Sequence, residues 1–265
     1  MKHFGLIGKN ITHSISNQLH QEIARHNGLE LTYEHFDVEE DEIEALINDL
    51  KKGKYDGFNV TVPYKEIILG YVDVLSENAK EIGAVNTLSY KNGQVYGNNT
   101  DLIGFSRILD NLNLDYQGKV VYILGSGGST RMVYYAFKKY GATPVVVSRK
   151  GGSSSYFGQM ITYEALSKMD HIDILVNCTP VGSYPNYGTP YEPVNQVIEL
   201  VIDLIYNPRK TILMEYGIKS INGIDLLIYQ GIASESIWQK KALKDDFVTI
   251  ESIKEEILWG FLVME

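Results

Sequence analysis

The chain has 265 residues, 44% of them hydrophobic and 22% charged, a composition ordinary for a protein that buries a core, and at roughly 150 residues per domain it predicts about two domains. Lys and Arg total 24 against 33 Asp and Glu, a net charge of −9, so phosphate backbones and anionic lipid are repelled and neither nucleic acid nor a membrane is an expected partner. An anionic ligand would have to be held by a local cluster of donors.

Short apolar runs alternate with segments of helical period, the pattern of a parallel sheet covered by helices. In chain order, Phe4–Gly8 reads as a strand, Asn17–His26 as a helix, Leu31–Val38 as a strand, Glu40–Lys51 as a helix and Phe58–Val62 as a strand. A hairpin of Val85–Tyr90 and Gln94–Asn98 turns at Asn92-Gly93, the dipeptide that two-residue hairpin loops favour. Leu102–Asn111 reads as a connecting helix, after which Lys119–Leu124, Ser129–Tyr140 and Pro144–Ser148 open a strand–helix–strand unit. Strands at Ile172–Asn177 and Leu200–Leu204 continue it, and Gly151–Ser155 reads as a flexible surface loop. The domain boundary is expected near residue 101. Residues 1–101, joined by returning helices at about 230–265, then form one domain, and 102–229 form the other.

The first residues, MKHFGLIGKNITHS, are broken by Gly, Asn and Ser before a signal-peptide core can form, and no apolar run approaches membrane-spanning length. The expected location is therefore cytoplasmic, and the four N-x-Thr triplets at Asn10, Asn59, Asn98 and Asn177 are not read as glycosylation sites. Cys178 is the only cysteine, which leaves neither an intrachain disulfide nor a thiolate zinc site. No metal is expected.

Val120–Leu124 runs into Gly125-Ser126-Gly127-Gly128-Ser129-Thr130 at the start of a helix. Gly125 suits the tight turn, Gly127 lets a pyrophosphate approach the backbone, and the helix amides and dipole favour negative charge. Thr130 replaces the third glycine of the usual fingerprint, which would set the helix slightly farther from the sheet. A cofactor with two ribose hydroxyls would call for Asp or Glu at the end of the second strand. Here that position reads Ser148-Arg149-Lys150, a hydroxyl and two cations that suit a 2′-phosphate, so NADP is favoured over NAD.

Four polar segments fall at ends of elements in the first half: Ser14-Ile15-Ser16, Asn59 to Lys65, Gly83 to Thr87, and Asn98 to Asp101. Each has a plain structural reading. Ser14 or Ser16 would cap the helix at Asn17, Pro63 would sit in a helix first turn with Lys65 solvated beyond it, and Asp101 would cap the helix at Leu102. Against these, the positive end of a helix dipole disfavours a cation, so stability alone would not place Lys65 in a first turn. Lys is also competent to shuttle a proton in alcohol–ketone chemistry, and a neighbouring carboxylate would hold its ammonium.

Together these residues resemble the shikimate dehydrogenase family over essentially the whole chain. The motifs occur in order: Phe4–Gly8 with Ser14-Ile15-Ser16; NVTVPYK at Asn59–Lys65; GAVNT at Gly83–Thr87; Asn99-Thr100-Asp101; GSGGST at Gly125–Thr130; Ser148-Arg149-Lys150; NCTPVG at Asn177–Gly182; DLIYNP at Asp203–Pro208; and Gln230. The resemblance implies an α/β fold, with an N-terminal α/β substrate domain, a Rossmann-like NADP-binding domain and a cleft between them. It implies reversible NADP-dependent reduction of 3-dehydroshikimate to shikimate, in aromatic amino acid biosynthesis, by a monomer or homodimer. Lys65 and Asp101 would be the catalytic pair, and Ser14, Ser16, Asn59, Thr61, Asn86, Tyr206 and Gln230 would hold the substrate. Gly125, Ser126, Gly127, Gly128, Ser129, Ser148, Arg149, Lys150 and Thr179 would hold NADP.

The chain also departs from the family pattern. Asn17 stands where Pro is usual, Leu102 where Gly is usual and Ser183 where Met is usual. The helix that normally follows the phosphate-selecting motif is missing, and the segment between Pro208 and Gly223 is shorter. Two rival readings are a quinate or dual-substrate dehydrogenase using NAD, and a ligand-binding homologue without chemistry. Ser16, in place of the Thr often found in quinate-preferring relatives, leans toward shikimate, and a binding module has no need of the Lys65 and Asp101 pair.

Overall fold

The computed structural model describes residues 1–185 and 187–262. The chain divides into two compact units, Met1–Gly104 with Ile228–Glu265, and Phe105–Leu227.

The first unit is built on a mixed sheet. Strand β1 (Lys2–Gly8) lies parallel to β2 (Leu31–Asp37) on one side and to β3 (Gly57–Val60) on the other. The sheet continues through β5 (Thr87–Lys91), β6 (Gln94–Asn98) and the short β4 (Val74–Leu75), in the order β2-β1-β3-β5-β6-β4. Phe4 to Gly8 are all buried, as expected where both faces of a strand are covered and its sequence is a continuous apolar run. The β5–β6 turn places Asn92 at φ 53° and Gly93 at φ 81°, the two left-handed positions a type I′ turn requires.

Helix α1 (Ser16–Asn27) buries Leu19, His20, Ile23 and Ala24 and stops at Gly28, whose φ of 59° is the left-handed terminator. Helix α2 (Ile43–Lys51) buries Ile43, Leu46, Ile47 and Leu50, one apolar stripe at helical spacing, against Phe58, Val60 and Leu88. Helices α3 (Glu77–Ile82) and α4 (Thr100–Leu112) follow. The opposite face of β1 packs Phe4 and Leu6 with Leu31, Tyr33 and Trp238. Trp238 stacks on Phe4 at 4.3 Å and its indole N–H donates to the Leu88 carbonyl at 2.9 Å.

The second unit is an all-parallel sheet. Its strands are β7 (Val120–Leu124), β8 (Thr143–Val147), β11 (His171–Asn177), β12 (Val197–Asp203) and β13 (Gly217–Ile221), in the order β13-β12-β11-β7-β8. Helix α5 (Gly128–Lys139) joins β7 to β8. The chain leaves β7 toward β8 and later returns on its other side at β11, which makes the ends of β7 and β11 a topological switch point, where open α/β sheets bind ligands.

Gly151–Ser155, expected to be a flexible loop, is instead largely ordered as strand. Gly152–Ser154 (β9) pairs antiparallel with Gly158–Met160 (β10), and Phe157 between them is buried. Ile161 then adds to the edge of β8 beside Val147, and the four-residue α6 (Tyr163–Leu166) leads to β11. This hairpin and α6 fill the segment between β8 and β11. Helix α7 (Ile224–Gln239) and α8 (Phe247–Leu262) complete the chain. Among the described residues, no helix is long and apolar enough to cross a membrane.

Candidate active site

In the first unit, the C-terminal end of β3 carries Asn59 and leads into Thr61–Lys65. Lys65 does not lie in the first turn of an α-helix, as its sequence context predicts. It sits in a run of turns ahead of a 3₁₀ segment, Ile67–Tyr71, so its own segment presents no full α-helical dipole to its ammonium. Pro63, placed by sequence in a helix first turn, follows a cis peptide bond within the same turns. The turns are anchored by Thr61 N–H donating to the Ile7 carbonyl at 2.9 Å and Val85 N–H donating to the Lys65 carbonyl at 2.8 Å.

Lys65 Nζ donates to Asp101 Oδ2 at 2.6 Å, with the two side chains 29% and 20% exposed. The pair is thus shielded yet reachable by a small molecule. Asp101 does not cap its helix. Helix α4 begins one residue earlier, at Thr100, and Asn99 Oδ1 accepts the Leu102 N–H at 3.1 Å. With capping supplied by Asn99, the Asp101 carboxylate is left to Lys65.

Behind the pair lies a buried polar frame. Asn86 Oδ1 accepts from the Thr100 N–H at 2.7 Å and from the Thr100 and Thr87 hydroxyls at 3.0 Å. Asn59 Nδ2 donates to the Asn86 carbonyl and Thr87 Oγ1 at 3.1 Å and to Ser234 Oγ at 2.9 Å. The Ser234 hydroxyl in turn reaches the Gln230 carbonyl at 3.0 Å within α7. Buried polar groups must find partners, and this set pins Thr100, the residue before Asp101. The sequence motifs single out Asn59, Asn86 and Gln230 but not Thr87, Thr100 and Ser234. Thr87 and Thr100 lie inside the GAVNT and NTD motifs, whereas nothing local marks Ser234.

Ser14 and Ser16 are half-buried at the start of α1, and neither is a conventional cap. The residue before the helix is Ile15, which makes no side-chain cap, and Ser14 Oγ accepts the Ser16 N–H at 3.2 Å. Ser14, Ser16, Asn59, Thr61, Lys65, Asn86, Asp101 and Gln230 all belong to the first unit, and Tyr206 belongs to the second. Tyr206 is half-buried beyond the end of β12, where burial raises its phenol pKa.

In the second unit, Gly125 turns at φ 102°, and a Cβ there would lie 3.0 Å from Thr179 Cγ2. Both the backbone angle and the packing therefore call for glycine. A Cβ on Gly127 or Gly128 would meet nothing within 4 Å. Helix α5 starts at Gly128 with no side-chain cap and no acidic residue in its first turn, so its first amides, at Gly128 and Ser129, face the exposed glycine loop without a competing side-chain acceptor. Ser148 immediately follows β8, and Arg149 and Lys150 are exposed beside it. Thr179, at the end of β11, is held by its N–H and hydroxyl donating to Asn177 Oδ1 at 2.9 and 2.7 Å. Asn177 Nδ2 donates to the buried Asp203 at 3.0 Å.

A family model described as the shikimate dehydrogenase substrate binding domain matches residues 6–88. A shikimate dehydrogenase (NADP(+)) from Clostridium beijerinckii is 38% identical over 253 residues, covering 91% of this chain and 93% of the relative. The chain belongs to the shikimate dehydrogenase family. Among solved structures of this family, a chorismate mutase/shikimate 5-dehydrogenase fusion protein from Clostridium acetobutylicum superposes with a TM-score of 0.89 at 33% identity, over 98% of both chains. A shikimate dehydrogenase in complex with NADP+ gives 0.84 at 31% identity, over 98% of this chain and 96% of that one. In the terms of the shikimate dehydrogenase family, the first unit carries the N-terminal substrate-binding domain and the parallel sheet is the Rossmann-like NADP-binding domain. The uncapped amides, the open glycine loop and the cationic end of β8 form a donor set that fits a 2′-phosphorylated dinucleotide.

Proposed function

We propose that the protein is an NADP-dependent shikimate dehydrogenase, interconverting 3-dehydroshikimate and shikimate. The observation that carries this reading is the 2.6 Å Lys65–Asp101 contact on a buried, hydrogen-bonded polar frame. In the reducing direction Lys65 Nζ gives a proton to the ketone oxygen as the carbon bearing it gains hydride. In the oxidising direction Lys65 receives the hydroxyl proton. Asp101 fixes Nζ in place and offsets the desolvation of its charge. NADP, when bound, supplies the two-electron hydride chemistry.

The remaining residues orient the substrate. Ser14 and Ser16 provide hydroxyl donors for its carboxylate. Asn59, Thr61, Asn86, Tyr206 and Gln230 suit its ring oxygens, because a site that hydrogen-bonds each hydroxyl rejects analogues lacking one. Gly125, Ser126, Gly127, Gly128 and Ser129 would cradle the pyrophosphate, Thr179 would border the same loop, and Ser148, Arg149 and Lys150 would take the 2′-phosphate.

The deciding assay follows NADPH formation with shikimate and with quinate, each against NADP and NAD. The expected result is turnover with shikimate and NADP well above the other three combinations. Absence of turnover in all four would overturn the proposal.

A further inference from the structure

The first unit contains a buried aromatic and ionic cluster that the mechanism above does not use. His20 and Glu235 are 1% and 0% exposed and meet Nδ1 to Oε1 at 2.8 Å. Gln239 Nε2 donates to the other carboxylate oxygen at 3.2 Å. The His20 ring lies flat on Tyr33, centroids 4.1 Å apart and planes 13° apart, and Trp238 is tilted against it at 5.6 Å. Burial of such a pair is weak evidence of a stabilising role, since apolar replacements often do as well. What the pair does provide is a fixed imidazole plane.

The Tyr33 hydroxyl meets a residue that the proposed function assigns to the substrate: it donates to Asn59 Oδ1 at 2.8 Å. Accepting from Tyr33 commits the Asn59 carbonyl to that side, so its amide nitrogen faces Asn86, Thr87 and Ser234. Burial first, and then the Glu235 charge, push the Tyr33 phenol well above its usual range. It therefore stays protonated and remains a donor to Asn59.

We infer that Tyr33 is a positioning residue for the substrate pocket: held flat by the His20–Glu235 pair, its hydroxyl fixes the rotamer of Asn59. This rests on the reading of the protein as a shikimate dehydrogenase with Asn59 in its pocket. Loss of the hydroxyl would leave the Asn59 carbonyl without its donor, weakening ground-state and transition-state binding alike.

Tyr33→Phe keeps the ring on His20 and deletes only the hydroxyl. Steady-state kinetics on the full-length variant should show the KM for shikimate raised about tenfold, the scale of one buried hydrogen bond. The KM for NADP should hold within about twofold and kcat should fall less than KM rises, the pattern of lost uniform binding. His20→Asn tests the same inference independently should Tyr33→Phe not fold. It keeps a donor near the Nδ1 position for Glu235 but removes the ring face under Tyr33, and should raise the same KM about threefold through the same loss of binding. A lowered Tm with an unchanged KM for shikimate in a folded variant would mean a purely structural role and overturn the inference, while leaving the proposed function intact. A wild-type protein inert toward shikimate would remove that function and this inference together.

Discussion

Lys65 and Asp101 lie 36 positions apart in sequence and 2.6 Å apart in space. Lys65→Ala should lower kcat by roughly 10²–10⁴-fold, the usual scale for a lost acid–base group, with little change in Tm. Near-normal turnover, measured at saturating shikimate and NADP, would take Lys65 out of the mechanism. Arg149→Ala should raise the KM for NADP by about 10- to 100-fold, the worth of a charge-assisted hydrogen bond to phosphate, and leave the KM for NAD nearly unchanged. Equal effects on both cofactors would place the 2′-phosphate elsewhere. The residue types that carry chemistry are legible in the sequence because they fall in short ordered motifs. Their surroundings are not. Pro63 suits a helix first turn and so predicts a helical Lys65, whereas the chain there makes successive turns pinned to Ile7 and Val85. Tyr33 and Ser234 belong to hydrogen bonds that join residues 26 and 175 positions apart, and no local pattern encodes such pairings.

Among the elements, β3 and α7 are joined at one backbone position. A Cβ on Gly57 would lie 2.2 Å from Trp238 Nε1, and the indole cannot move without losing its bond to Leu88. Gly57→Ala should therefore cost about 1–3 kcal/mol, the range for overpacking a core, seen as a lower Tm by circular dichroism. An unchanged Tm would show that α7 can shift to make room. Strand β2 carries His35, whose pKa is lowered by burial and then by the nearby His20, and whose Nε2 is buried without a partner. A depressed folded pKa means stability that is present above the ordinary value of 6.5 and lost as pH falls through the folded value. Denaturant melts of His35→Phe should thus show a smaller loss of stability than wild type between about pH 7 and about pH 5. An identical slope would assign the acid sensitivity to another group. Elements with strong punctuation, such as the Asn92-Gly93 hairpin and α1 ending at Gly28, are legible in the sequence. The β9–β10 hairpin is not, because Gly151–Ser155 has the composition of a loop and its order comes from pairing with Gly158–Met160 and the burial of Phe157.

For the whole molecule, each unit has its own apolar core, so each ligand should leave its mark on a separate set of amides. Hydrogen exchange with NADP alone should slow residues 125–130 and 148–150, while shikimate alone should slow residues 59–65 and 100–102, as binding to the native state suppresses local opening. Protection of 59–65 by NADP alone would contradict this division of labour. The first unit is discontinuous, because Ser234 and Glu235 bond to Asn59, Thr87, Thr100 and His20 from beyond the intervening 105–227. During translation the second unit can close as soon as its own residues emerge, because domains fold as units on the growing chain. Asn59, Thr87 and Thr100 must wait, their hydroxyls and amides in water, until the ribosome has released the 228–239 stretch. A nascent chain halted before that point would already own a dinucleotide fold but would lack the buried scaffold that gives Asp101 its place.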